Sequence, residues 1–239
     1  LATSCLDGVS DYHDYDFANA RCVIMWGTDP LAGNRMRARF MRDFRALREQ
    51  ADLFVVSPHR SVTAEAVEKG ACDGAGAEDG GAGGRTCGDA NASDGTHVAS
   101  KTHGGWIPVV PGTDGALACA MAHVILTEGL WNRAYVGSFV TRESAASTGG
   151  GEAEQALQRE RDVRTASAGE SAPAFRPGEA VAPDTFRELY THGLVTWWNT
   201  TLKDTTPEWA APLCGVAAER IREMARAFAA AGERAVSWV

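Results

Sequence analysis

Three short stretches of this chain carry residue types suited to a polar ligand: Gly27-Thr28-Asp29-Pro30, Ser57-Pro58-His59-Arg60-Ser61 and Gly112-Thr113-Asp114. Gly27 and Gly112 allow a ligand to approach the backbone closely. The Asp114 carboxylate can accept two hydrogen bonds, as the N1–H and 2-amino group of guanine would offer them. Arg60 can pair with a phosphate or stack on a base. The third stretch lies within Trp106–Leu117, WIPVVPGTDGAL, where Thr113 and Asp114 can cap a helix starting at Gly115-Ala116-Leu117. Exposed amides at a helix start attract anions. A single strand–Pro-Gly–helix junction is most often a plain turn. Three of them at the carboxyl ends of neighbouring parallel strands would suit a purine nucleotide.

The elements that must hold these loops are legible as periodicity. Cys22–Trp26 (CVIMW) is a continuous apolar run, the pattern of a parallel strand buried on both faces. A helix over Asn34–Gln50 places Met36, Phe40, Phe44 and Leu47 on one stripe. Its arginines, from Arg35 to Arg45, either meet phosphate or form a solvated face. Leu53–Val56 is the second strand, followed by a short helix over Val62–Lys69. Trp106–Val110 is the third, with an almost wholly apolar helix, Thr113–Thr127, behind it. His123 on that helix reads as a satisfied core or rim histidine and not a ligand. The pattern predicts an α/β fold: an open, mostly parallel, doubly wound sheet of the dinucleotide-binding kind. Right-handed crossovers then bring all three loops to one edge, where such sheets bind ligands.

Elsewhere the pattern weakens. Asp16–Ala20 reads as a short helix and Asn132–Val140 as another. The glycine-rich stretch 71–105 lacks large apolar side chains and reads as a flexible insertion. It carries Cys72, Cys87, His97 and His103, whose spacing matches no zinc pattern. Residues 144–183 read as a linker or surface excursion with one helix at Glu152–Asp162. Residues 184–239 read as a partial helical region. There Thr206 is an N-cap with Pro207 at the first helical position, and Ile221, Met224, Ala225 and Phe228 form the buried face of a helix over Ala217–Ala231. Ala235–Val239 reads as a strand with no partner left in the chain. The chain starts without Met and stops in this apolar run, so it reads as a piece of a longer protein.

Composition narrows the class. With 239 residues and 44% apolar content the chain can bury a real core. A net charge of −8 argues against nucleic acid as a partner. No run reaches the ~18 apolar residues of a membrane span. None of the six cysteines stands in a CxxC spacing, and Cys22, Cys119 and Cys214 sit in apolar runs as core residues. Neither GxGxxG nor GxxxxGK[ST] occurs, which disfavours ordinary NAD binding and P-loop phosphoryl transfer.

Four segments, IMWGTDP, VVSPHRSVTAE, WIPVVPGTDGALACAMAHVILTEGL and TPEWAAPLCGVAAERIREMARAFA, resemble in that order the molybdopterin oxidoreductases of the dimethyl sulfoxide reductase family. They cover most of residues 18–140 and 204–239. The resemblance implies a cofactor, bis(molybdopterin guanine dinucleotide) with molybdenum or tungsten. It implies that Trp26, Gly27, Thr28 and Asp29 lie against one dinucleotide. Ser57, Pro58, His59, Arg60 and Ser61 would meet its nucleotide end, and Gly112, Thr113 and Asp114 its guanosine. Residues 1–143 would then be the dinucleotide-binding domain, and 184–239 would continue into further parts of the enzyme.

By the same resemblance the chain is the central part of a catalytic subunit for oxygen-atom or hydrogen transfer on a small molecule. No catalytic or metal-ligating residue is assigned within it; Cys5, the one tempting ligand, stands closer to the first strand than the family's ligand does. A 4Fe–4S cluster would lie in a preceding part. An iron–sulfur electron-transfer subunit and a membrane anchor would be partners, and the location periplasmic or membrane-associated. The alternatives are a non-catalytic nucleotide-binding or structural module derived from that family, and an ordinary doubly wound domain for another nucleotide. Two departures stand out. The family usually has Asn where Asp29 stands, and often Asp-Pro-Arg where this chain has Ser57-Pro58-His59-Arg60.

Overall fold

The computed structural model describes residues 15–33, 37–73, 104–140 and 174–238. It is an α/β fold whose four-stranded parallel sheet runs β3-β2-β1-β6, with flanking helices. The strands are β1 (Cys22–Trp26), β2 (Asp52–Ser57), β3 (Gly105–Pro108) and β6 (Ala235–Trp238). Two compact units are distinguished: one of Leu1–Val55, Ser61–Trp106 and Glu233–Val239, the other of Val56–Arg60 and Ile107–Gly232.

In the first unit the strand pattern holds. Cys22, Val23, Ile24 and Met25 are all buried, because side chains on both faces of β1 are covered. Helix α1 (Pro30–Gly33) precedes α2 (Arg37–Gln50), which turns Phe40, Phe44 and Leu47 into the core. Met36 lies outside the described residues. Helix α3 (Val62–Asp73) runs four residues beyond the expected Lys69.

The last strand corrects the sequence reading. β6 has a partner: it pairs in parallel with β1, Cys22 opposite Ala235 and Met25 opposite Trp238. The pairing is extended by Arg21 N–H donating to Arg234 O at 2.9 Å. Trp238 then packs against Phe40 (ring centroids 5.3 Å), Phe17 (5.0 Å) and Tyr15 (5.5 Å). The run from Asp16 to Ala20 is a turn that delivers Phe17 to this cluster, with no helix.

The second unit is mostly helical. Helix α4 (Asp114–Thr127) is apolar nearly all round because α7 (Pro207–Cys214) and α8 (Ala218–Ala231) both pack on it. Leu117, Ala120, Met121, Val124 and Leu126 are buried. His123 is buried too; its Nδ1–H donates to Leu202 O at 2.6 Å and its ring stacks on Trp198. The start of α7 is as read. The Thr206 hydroxyl accepts from Trp209 N–H at 3.2 Å, Pro207 opens the helix and Gly215 closes it in the left-handed region. In α8, Ile221, Met224 and Ala225 are buried, whereas Phe228 is half-buried.

The expected helix over Asn132–Val140 is shorter and gives way to a strand. Helix α5 (Arg133–Val136) is capped by the Asn132 side chain and followed by β4 (Gly137–Phe139). β4 pairs antiparallel with β5 (Phe186–Glu188), so the 184–239 region is not purely helical. The reason is Gly137: a Cβ there would stand 2.0 Å from Arg187 O, so only glycine admits the pairing. Phe139, Phe175, Phe186 and Trp198 gather behind this ladder, with centroids 4.9–5.4 Å apart. Helix α6 (Leu194–Thr200) supplies Trp198. The insertion expected at 71–105 and the linker expected at 144–183 fall largely outside the described residues, as do Cys5, Cys87, His97, His103 and the helix expected at Glu152–Asp162.

Candidate functional site

In the first unit, the loop after β1 is built around Gly27 and Asp29. Gly27 adopts φ +63°, exposed, with nothing within 4 Å of where a Cβ would point. Trp26 before it is held by its indole N–H, which donates to Ser237 Oγ on β6 at 3.0 Å. Asp29 is half-buried. Its carbonyl accepts from Ala32 and Gly33 N–H (3.1 and 2.8 Å), starting α1. Its carboxylate Oδ1 accepts from Thr63 N–H at 3.1 Å and from the Thr63 hydroxyl. That hydroxyl in turn accepts from Leu31 N–H at 3.1 Å. Ser61, buried, caps α3 by accepting from Ala64 N–H at 3.2 Å.

In the second unit, Ser57 is buried and donates its hydroxyl to His59 O at 2.6 Å, folding the turn that leaves Pro58, His59 and Arg60 exposed. Gly112 adopts φ +81° with open space beside it. Thr113 does not cap α4 as expected. Its hydroxyl donates backwards to Val110 O at 2.7 Å, so the first amides of the helix receive no side-chain cap. Asp114 is exposed on the first helical turn. The preceding segment is anchored by Val110 N–H donating to Cys214 O at 3.0 Å. Thus Trp26–Asp29 and Ser61 belong to one unit, and Ser57–Arg60 and Gly112–Asp114 to the other.

Reading the sequence missed Thr63 and Ser237, which fix Asp29 and Trp26. The only local signal was their place beside the assigned loops or strands. The cysteines behave as core residues. Cys22 and Cys214 are buried and Cys119 is half-buried. Burial, reinforced by the Asp52 charge, pushes the Cys22 thiol up to about 12, far from a reactive thiolate. Among the described residues, no group of three or more His, Cys, Asp or Glu is placed to hold a metal ion. No helix among them is long and apolar enough to cross a membrane.

Comparison with known proteins gives relatives of this chain. The molybdopterin-containing subunit of arsenate respiratory reductase from Shewanella sp. (strain ANA-3) is 29% identical over 233 residues, 98% of this chain and 20% of its own. Its counterpart from Chrysiogenes arsenatis is 27% identical over all of this chain and 20% of its own. The chain is homologous to molybdopterin subunits of the dimethyl sulfoxide reductase family. A probable dimethyl sulfoxide reductase chain of Escherichia coli (strain K12) is 27% identical over 96% of this chain and 20% of its own. The chain therefore spans about a fifth of the length of the curated relatives it matches. No family model matches it. Among solved structures, acetylene hydratase from Pelobacter acetylenicus aligns with TM-score 0.46 at 16% identity, over 94% of this chain and 18% of that one. The two arsenate respiratory reductase relatives are described as molybdopterin-containing subunits.

Proposed function

We propose that this chain is the central, dinucleotide-binding part of a molybdenum or tungsten oxidoreductase catalytic subunit acting on a small molecule by oxygen-atom or hydrogen transfer. The observation that carries the reading is homology to molybdopterin subunits running through nearly the whole chain, including all three loops. When bound, the cofactor's metal supplies the redox chemistry, and the chain supplies binding and orientation.

The donor set suits such a ligand. Gly27 and Gly112 turn with open space beside them, so backbone can meet the ligand directly. Asp114, on the first turn of a 14-residue helix, is a doubly accepting carboxylate for guanine. The Arg60 guanidinium is suited to phosphate. Trp26, Gly27, Thr28 and Asp29 serve one dinucleotide; Ser57, Pro58, His59, Arg60 and Ser61 its nucleotide end; Gly112, Thr113 and Asp114 its guanosine. Electrons leave through iron–sulfur clusters held elsewhere, with an electron-transfer subunit and a membrane anchor as partners. In this reading residues 1–143 are the binding domain.

Acid hydrolysis of the full-length native protein is the test. Release of guanosine monophosphate supports the reading. Release of adenosine monophosphate instead would assign the sheet edge to an ordinary adenine dinucleotide and overturn it.

A further inference from the structure

Asp29 shows an unequal use of its two carboxylate oxygens. Oδ1 takes both the backbone N–H and the hydroxyl of Thr63, at the start of α3. The same hydroxyl receives Leu31 N–H, so Asp29 and the first turns of α1 and α3 close on one another. Among the described residues Oδ2 has no hydrogen-bond partner, and the residue is only half-buried. A side chain held this way at one oxygen loses its rotamer freedom, and the other oxygen is presented in a fixed direction.

A carboxylate oxygen accepts hydrogen bonds and donates none. It attracts an amine or hydroxyl hydrogen and repels the oxygens of a phosphate, which are themselves anionic acceptors. We propose that Asp29 is the specificity-determining residue of the β1 loop and Thr63 its positioning residue. Oδ2 takes an N–H or O–H donor of the dinucleotide, from its pterin or its ribose, and keeps the pyrophosphate off this loop. The inference rests on the dinucleotide reading above and deepens it. Thr63 becomes part of the binding apparatus although it touches no ligand.

The test uses full-length native protein and four variants: Thr63→Val, Thr63→Ser, Asp29→Asn and Asp114→Asn. Guanosine monophosphate released by acid after gel filtration reports how much dinucleotide each retains. Amide hydrogen exchange at Leu31 and Thr63 reports the clamp without reference to any ligand. Thr63→Val removes the hydroxyl at nearly constant shape. It should speed exchange at Leu31 and lower dinucleotide retention roughly tenfold, the scale of one charge-assisted hydrogen bond. Thr63→Ser should restore both. Asp29→Asn keeps an acceptor for Thr63 but turns a donor toward the ligand, so retention should fall while exchange at Thr63 stays slow. Wild-type retention in both Thr63→Val and Asp29→Asn would overturn the proposal. If Asp114→Asn loses guanine in that same series, the dinucleotide reading survives without it. If no preparation, wild type included, releases guanosine monophosphate, the dinucleotide reading has failed and this proposal with it.

Discussion

Replacing Asp114 by asparagine changes one oxygen to an amino group at constant size. Two separable terms follow. Asp114 sits in the first turn of α4, whose opening amides have no side-chain cap. A negative charge there favours the helix by about 0.3–1 kcal/mol, lost in the variant whatever is bound. The second term belongs to the nucleotide. A carboxylate can accept from both the N1–H and the 2-amino group of guanine, whereas the amide keeps one acceptor and turns a donor against a donor. Losing one charge-assisted hydrogen bond costs roughly 1–3 kcal/mol, or about five- to 150-fold in affinity. The assay is guanosine monophosphate released per polypeptide after gel filtration of native protein, with the unfolding midpoint measured alongside. A modest midpoint shift with a large loss of guanine is the expected pair. Unchanged guanine content with a lowered midpoint would refute the contact, leaving Asp114 a helix residue only.

Three further expectations concern the scaffold. Phe40 is 1% exposed and meets the rings of Phe17, Phe44 and Trp238, so Phe40→Ala should cost about 3–5 kcal/mol in chemical denaturation; a cost under 1 kcal/mol would dispute the packing of Trp238 on β6 against α2. Gly137→Ala places a methyl group 2.0 Å from Arg187 O, and amide exchange along Gly137–Phe139 should accelerate sharply while that of β1 does not. Glu128 is held below the usual carboxylate range, chiefly by its hydrogen bonds from Arg226 on α8, at 2.9 and 2.7 Å. A lowered folded pKa means the unfolded chain binds the proton more readily. Its stabilisation is therefore present above the ordinary glutamate pKa of about 4.3 and fades as pH falls through the folded value. Denaturant midpoints of wild type and Glu128→Gln should differ at neutral pH and converge in acid; a constant gap would contradict the assignment.

Why some of this could be read from the chain and some could not has a physical basis. Cys22–Trp26 announces itself because a strand covered on both faces must be apolar throughout, and it is. The cap at Thr206 with Pro207 is equally local, since helix starts are written in three or four residues. The partner of β6 is not local: parallel neighbours in a sheet are joined by crossovers, and here the pairing spans most of the chain. β4 is three residues long, too short for a period to show against the helix-like run before it. The site divides the same way. Glycine turns and Asp114 stand at junctions visible in sequence, whereas the Thr63 clamp on Asp29 bridges 34 residues and leaves no periodic trace. Thr113 illustrates a third case. Its type suits a cap, but its hydroxyl finds Val110 O first.

The central claim is that this chain belongs to a protein that carries two guanine dinucleotides around one metal. Full-length native protein, purified without oxygen, should be assayed for molybdenum and tungsten by mass spectrometry and for guanosine monophosphate after acid hydrolysis. About two guanine nucleotides per metal atom are expected, as a bis(molybdopterin guanine dinucleotide) centre requires. Native protein with neither metal nor guanine would contradict it and leave a non-catalytic module of the same descent.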